Sequence, residues 1–217
     1  MVARLGIFGG TFDPIHNGHI VAALAAREQL QLDEVVMMVA ADPWQKRGAV
    51  SASANARLEL VRVACADVDG LRASGMEILR GGPTYTFDTV EAMRAQAIAD
   101  AADSARTAET GSGAEAGAVP EIVVILGADT ASRVDAWHRA HELAQSVSLA
   151  VVTRAGTPLE LDHLSSAWTI VAVAMPALEI SSTDIRQRIR AGRSIAGLVP
   201  SEVVRGIRSA SLYTSEL

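Results

Sequence analysis

The chain has 217 residues, 49% hydrophobic and only 4% aromatic, and its 19 basic and 25 acidic residues leave a formal charge of −6. This length suits one domain spanning 1–217 with a core of Ala, Val, Leu and Ile, and the acidic balance argues against general nucleic-acid or membrane-surface binding. Cys65 stands alone, no apolar run reaches the roughly 18 residues of a membrane span, and Met1 to Gly10 is too short for a signal peptide, so the expected location is the cytoplasm.

Ala3 to Phe8 is an apolar run of strand length, and Gly18 to Leu30 places Ile20, Leu24 and Leu30 on one side of a helix. The turn between them is Gly9-Gly10-Thr11-Phe12-Asp13-Pro14-Ile15-His16-Asn17-Gly18-His19. Gly9 and Gly10 would let the backbone approach a ligand and adopt dihedrals closed to other residues, while Pro14 stiffens the turn. With a helix starting near Asn17, His16 and His19 fall at its first turn, where free N–H groups and the dipole favour an anion. Glycines alone would make only a tight turn, and paired histidines could be packed or bind metal. The complete run favours a phosphate site, no third metal ligand stands at suitable spacing, and the G-x-G-x-x-G pattern is absent.

Glu34 to Ala40 is a near-continuous apolar run, as expected of a strand covered on both faces. Asp42 to Ser53, with Pro43, Trp44, Gln45, Lys46 and Gly48, reads as a loop, and Ser53 caps a helix to about Ala66. Leu71 to Leu79 alternates loosely and is expected to be a third strand; Gly81, Gly82 and Pro83 then break the chain before a helix from about Thr86 to Asp100. Residues 101–120, rich in Ala, Ser, Thr, Glu and Gly, are expected to be a disordered insertion. Glu121 to Leu126 is a strand followed by a helical pattern from Asp129 to Ser146, interrupted near Trp137. Val147 to Val152 and Thr169 to Ala174 are further strands, and a small helical C-terminal part begins at about Ser181 with helices from Ser181 to Ala191 and from Pro200 to Ser209. The alternation predicts an α/β fold: a doubly wound parallel sheet with helices on both faces and ligands beyond the strands' carboxyl ends.

Ser181-Ser182-Thr183-Asp184-Ile185-Arg186 forms a second candidate phosphate site. Ser181 and Asp184 have capping-box spacing, and Arg186, one turn into the helix, suits a bidentate grip on polyphosphate. Alone, this segment would be an ordinary capped helix; a second phosphate-compatible helix start in one small α/β chain makes that reading less attractive. His138, His141 and His163 show no partner pattern and are assigned solvated or structural roles, and Cys65 is assigned to packing.

The first motif, containing T-x-x-x-H-x-G-H as Thr11, His16, Gly18 and His19, together with Ile180 to Arg186, resembles the nucleotidylyltransferase superfamily with its Rossmann-like fold. Gly82-Pro83-Thr84-Tyr85-Thr86-Phe87-Asp88-Thr89, Gly127-Ala128-Asp129 and Trp137 resemble, more narrowly, the bacterial nicotinate-nucleotide adenylyltransferases. The resemblance spans the chain except residues 101–120. It implies adenylyl transfer from ATP to nicotinate mononucleotide, with Mg2+ carried mainly by the ATP phosphates and no metal site of the protein's own. Under it, His16, His19 and Arg186 are catalytic; Gly9, Gly10, Thr11, Phe12, Gly127, Asp129, Ser182 and Thr183 join them in binding ATP; Trp44, Lys46, Tyr85, Thr86 and Trp137 bind the acceptor. Relatives carrying Pro-His-Lys where this chain has Trp44-Gln45-Lys46 imply a loop that binds or closes differently. The rival readings are an adenylyltransferase for nicotinamide mononucleotide or phosphopantetheine, and a nucleotide-binding module without turnover. Neither nucleic acid nor membrane is an expected partner, and self-association is left open.

Overall fold

A computed structural model of the chain describes residues 3–41, 50–107, 119–154, 161 and 164–214, with the backbone alone at 101–107 and 154. Strands β1 (Arg4–Gly10), β2 (Glu34–Val39), β3 (Leu71–Ser74), β4 (Glu121–Gly127), β5 (Ser148–Arg154) and β6 (Thr169–Met175) form one sheet in the order β3-β2-β1-β4-β5-β6. Every pairing is parallel.

Successive strand side chains point to opposite faces, so the apolar runs divide into two cores. Val35, Met37 and Val39 pack with Val123 and Ile125 under α1 (Asn17–Leu30), α2 (Ala54–Cys65), α7 (Ser182–Arg190) and α8 (Ser201–Ser209). Val36 and Met38 pack with Ile122, Val124 and Leu126 under α4 (Thr86–Thr107), α5 (Ala128–Ala131) and α6 (Ala140–Ala144). The doubly wound sheet expected from the alternation is therefore present. In α1 the buried face belongs to Ile20, Ala22, Ala23, Ala25 and Ala26, and Leu24 and Leu30 pack only in part. Alanines let this helix lie close against the sheet.

Two elements depart from expectation. The strand predicted over 71–79 stops at Ser74, and a short helix, α3 (Met76–Arg80), follows. The Ser74 hydroxyl accepts from the Met76 N–H at 3.2 Å, and the Gly75 carbonyl accepts from Leu79 at 2.9 Å. A Cβ on Gly75 would meet Leu58 Cδ2 at 2.6 Å, so a side chain at this turn out of the sheet would have to displace the end of Leu58. The predicted insertion at 101–120 also begins too early: α4 continues through Thr107, and its remainder, 108–118, lies outside the described residues. The helix expected over 129–146 is interrupted as anticipated, by a 3-10 turn at Val134–Ala136 and by Arg139 at a φ of 53°.

The edge strand β6 is met by a side chain rather than another strand. Gln29 of α1 donates from Nε2 to the Ala174 carbonyl at 2.7 Å, and its Oε1 accepts from the Ala174 N–H at 3.1 Å. The chain winds outward from β1 to β3, returns, and winds the other way from β4 to β6. The switch point lies between β1 and β4, whose carboxyl ends open into a cleft.

Candidate active site

The first wall of the cleft is the end of β1. Gly9 and Gly10 are strand residues without positive φ, so their expected dihedral freedom is not used; the left-handed residue is Phe12, at a φ of 48°. What these glycines provide is the absence of a side chain. A Cβ on Gly10 would press on the Phe12 ring at 2.7 Å, whereas one on Gly9 would meet nothing within 4 Å and would project into open space. Phe12, buried to 2% exposure, stands edge-on to His19 with centroids 5.0 Å apart. His19 in turn stacks on His16 at 3.6 Å and 21°. The His16 backbone N–H donates to His19 Nδ1 at 3.2 Å, the returning half of a capping box. Neutral His19 therefore carries its proton on Nε2. A Cβ on Gly18 would meet His16 Nδ1 at 3.0 Å, which explains the glycine of the motif. Burial lowers the His16 pKa to about 4, so this imidazole is neutral, and its Nδ1 has no hydrogen-bond partner among the described residues.

The two predicted phosphate motifs meet. Ser182 donates to the Pro14 carbonyl at 2.8 Å, and Arg186 Nη1 donates to the Asp13 carbonyl at 2.7 Å while Nη2 reaches Thr183 Oγ1 at 3.3 Å. The second helix start is thus bound to the turn of the first. With its hydroxyl proton on the Pro14 carbonyl, Ser182 has its backbone N–H to offer a phosphate.

Asp13, 3% exposed, was given no role by sequence reasoning and sits at the centre of this assembly. Its carboxylate accepts from the N–H groups of Ser51 at 2.7 Å and Ala52 at 3.1 Å. Beside it, buried Arg57 donates to the carbonyls of Thr11 at 2.6 Å, Ala52 at 3.2 Å and Ala41 at 3.3 Å. The segments on either side of 42–49 are thereby tied to the first motif. Burial, with Asp13 close by, also pushes the Tyr213 hydroxyl upward, which brings the C-terminal part into the same cluster.

The second wall comes from the start of α4 and the segment after α5. Tyr85 stacks on His138 at 4.4 Å and 27°. Thr84, Thr86, Thr89, Trp137 and Glu77 line the same cleft, whose volume is about 770 Å³. His138, expected to be solvated or structural, is a ring of the wall; only its neighbour Trp137 marked the place in the sequence. Gly127 and Thr130 line the cleft at the end of β4, and Asp129 stands exposed between them at its rim. Trp44 and Lys46 lie outside the described residues. No three His, Cys, Asp or Glu side chains are grouped to hold a metal ion among the described residues.

Residues 7–188 match the cytidylyltransferase-like family. A "Probable nicotinate-nucleotide adenylyltransferase" of Acidothermus cellulolyticus is 37% identical over 211 residues, 97% of this chain and 94% of the relative. The chain belongs to the nicotinate-nucleotide adenylyltransferase family. A relative of the same name from Saccharopolyspora erythraea is 38% identical over 98% of this chain and 91% of its own. The fold is similar to that of Plasmodium falciparum nicotinic acid mononucleotide adenylyltransferase complexed with NaAD, with a TM-score of 0.69 and 14% identity over 97% of each chain. Within this nucleotidyltransferase family fold, Gly9, Gly10, Thr11, Phe12, His16, His19, Tyr85, Thr86, Gly127, Trp137, Ser182, Thr183 and Arg186 converge on one cleft.

Proposed function

We propose that the chain transfers the adenylyl group of ATP to nicotinate mononucleotide, forming nicotinate adenine dinucleotide and releasing pyrophosphate. The observation that carries this reading is the joining of two helix starts, Asn17 and Ser182, into one cradle at the sheet's switch point. The dipole ends at both starts favour a polyphosphate, although the Asn17 N–H already donates to the Leu198 carbonyl at 2.9 Å and the Asp184 N–H to Ser181 Oγ at 3.1 Å. The start of α4 at Thr86 offers the same to a carboxylate on an aromatic ring held by Tyr85, Trp137 and His138.

The acceptor phosphate attacks the α-phosphorus of ATP, and as an anion at neutral pH it needs no base. Catalysis is alignment and charge stabilisation without a covalent intermediate. His19 donates its Nε2–H to an α-phosphoryl oxygen as charge develops, and neutral His16, stacked against it, fixes the ring. Arg186 supplies positive charge toward the β- and γ-phosphates, and the side-chain-free floor at Gly9 leaves the nucleotide room. Gly127 and Thr130 take the adenosine side.

The Asp13 carboxylate accepts from Ser51 and Ala52, and no three His, Cys, Asp or Glu side chains among the described residues are grouped for a metal, which suits a Mg2+ ion carried by ATP phosphates and water. Such an ion would neutralise phosphate charge. Buried Cys65, its thiol pushed up to about 11 by burial, fits a reducing cytoplasm, and no described helix is long and apolar enough to cross a membrane.

The test is pyrophosphate release from ATP and Mg2+ with nicotinate mononucleotide, nicotinamide mononucleotide or phosphopantetheine as acceptor. Release with nicotinate mononucleotide at least about tenfold above the others is expected. Preference for another acceptor overturns the substrate, and release with none points to a binding module.

A further inference from the structure

The buried polar residues of the described chain fall in two places: Asp13, His16 and Arg57 at the phosphate cradle, and Glu77 and Thr89 beneath the aromatic wall. The second pair is not explained by phosphate chemistry. Thr89 Oγ1 lies 2.6 Å from Glu77 Oε1 and 3.2 Å from the Tyr85 carbonyl, which also accepts from the Thr89 N–H at 3.2 Å. Arg80 Nη2 donates to the same hydroxyl at 3.2 Å. A hydroxyl has one proton, and the shorter contact directs it to Glu77.

We propose that Glu77 is a positioning residue for the acceptor: acting through Thr89, it sets the backbone of Tyr85, and with it the ring that stacks on His138. This rests on the adenylyltransferase reading of the cleft and deepens it by naming what fixes the acceptor wall. With Glu77 ionised, the Thr89 hydroxyl proton belongs to it and the Tyr85 carbonyl keeps only the Thr89 N–H. With Glu77 protonated, the acid donates to Thr89 and the hydroxyl proton turns to the Tyr85 carbonyl, tightening the first turn of α4. The groups around Glu77 are Arg80 on its own helix, Thr89 and Tyr85 on α4, and His138 stacked on Tyr85. Beneath it β2 is apolar beyond Glu34, which pairs with Arg72. Burial, partly opposed by Thr89 and Arg80, raises the Glu77 pKa to about 7, so the switch falls in the working range. A buried anion in this wall also opposes a ligand carboxylate, so the protonated form favours nicotinate twice over.

The test measures KM for nicotinate mononucleotide and for ATP from pH 6 to 8.5 in the full chain and its Glu77→Gln, Glu77→Ala and Thr89→Val variants. Calorimetric titration with nicotinate mononucleotide reads acceptor affinity where turnover is too slow. In the wild type, acceptor KM is expected to rise with pH through about 7 while ATP KM stays flat. Thr89→Val, which takes the hydroxyl from the Tyr85 carbonyl, should raise acceptor KM at least about tenfold with ATP KM within about twofold, and Glu77→Ala, which removes the buried anion, should hold acceptor KM flat with pH. Glu77→Gln, uncharged and able to donate its amide N–H to Thr89 as the protonated acid does, should keep acceptor KM near its low-pH value and remove its pH dependence. Equal changes in both KM values, or a Glu77→Gln profile matching the wild type, overturns the positioning role. Should Glu77→Ala not fold, Thr89→Val and Glu77→Gln decide it. Absence of wild-type turnover and of acceptor binding defeats the adenylyltransferase reading itself; turnover with unchanged variants defeats only the role of Glu77.

Discussion

His16 and His19 share one motif and one stacking contact but have different chemistry. On the proposed mechanism the backbone bond to His19 Nδ1 leaves Nε2–H as the donor, so His19→Ala removes a hydrogen bond that counts most in the transition state. Turnover is expected to fall roughly 100- to 1000-fold, with an unchanged melting temperature showing the fold intact. His16 is held neutral by burial, with a folded-state pKa of about 4 against an ordinary 6.5. Between these values the unfolded chain binds a proton that the folded chain does not. Stability should therefore fall as pH drops from 6.5 toward 4, by up to about 3 kcal/mol from this site. Urea unfolding across that range should show the loss in the wild type and much less of it in His16→Asn. Glu77 works with the opposite sign: its pKa is raised from 4.5 to about 7, so the folded chain binds the extra proton and stability falls as pH rises through that window. Glu77→Gln should gain on the wild type at pH 8 and not at pH 4.

At the scale of elements, the contact that matters most is between helix starts and turns. Arg57 on α2 reaches three carbonyls that no other described donor is seen to serve, at Thr11, Ala41 and Ala52. Arg57→Met would keep the volume and leave these acceptors buried without the guanidinium. A loss of about 3 kcal/mol in urea unfolding is expected, with ATP affinity falling as the first motif loosens. The elements themselves were largely legible, because apolar runs, the Ser53 cap and the Ser181 cap are local signals that the structure keeps. The strand misjudged at 71–79 failed for a non-local reason: Leu58 crowds Gly75 from α2, and no local pattern records that approach. The same holds in the site. His16, His19 and Arg186 announced themselves by motif spacing, whereas Asp13, Arg57, Glu77 and His138 act through partners 5 to 173 residues away and carry no local mark.

For the molecule as a whole, reversal of strand order between β1 and β4 makes the cleft, and the C-terminal part completes it. Ile185, Ile195, Val199, Val203, Ile207 and Tyr213 are buried in the same core as β2 and α1. A chain ending at residue 180 would expose that face and lose the Ser182 and Arg186 clamps. It is expected to show no cooperative thermal transition, whereas the full chain melts in one step. The amide of Gln29 has a consequence for behaviour in a crowded solution. By filling both hydrogen-bonding positions at Ala174, it denies a neighbouring molecule the first rung of a seventh strand. Gln29→Ala should leave catalysis alone and turn β6 into a template for strand addition, visible as concentration-dependent light scattering that the wild type lacks.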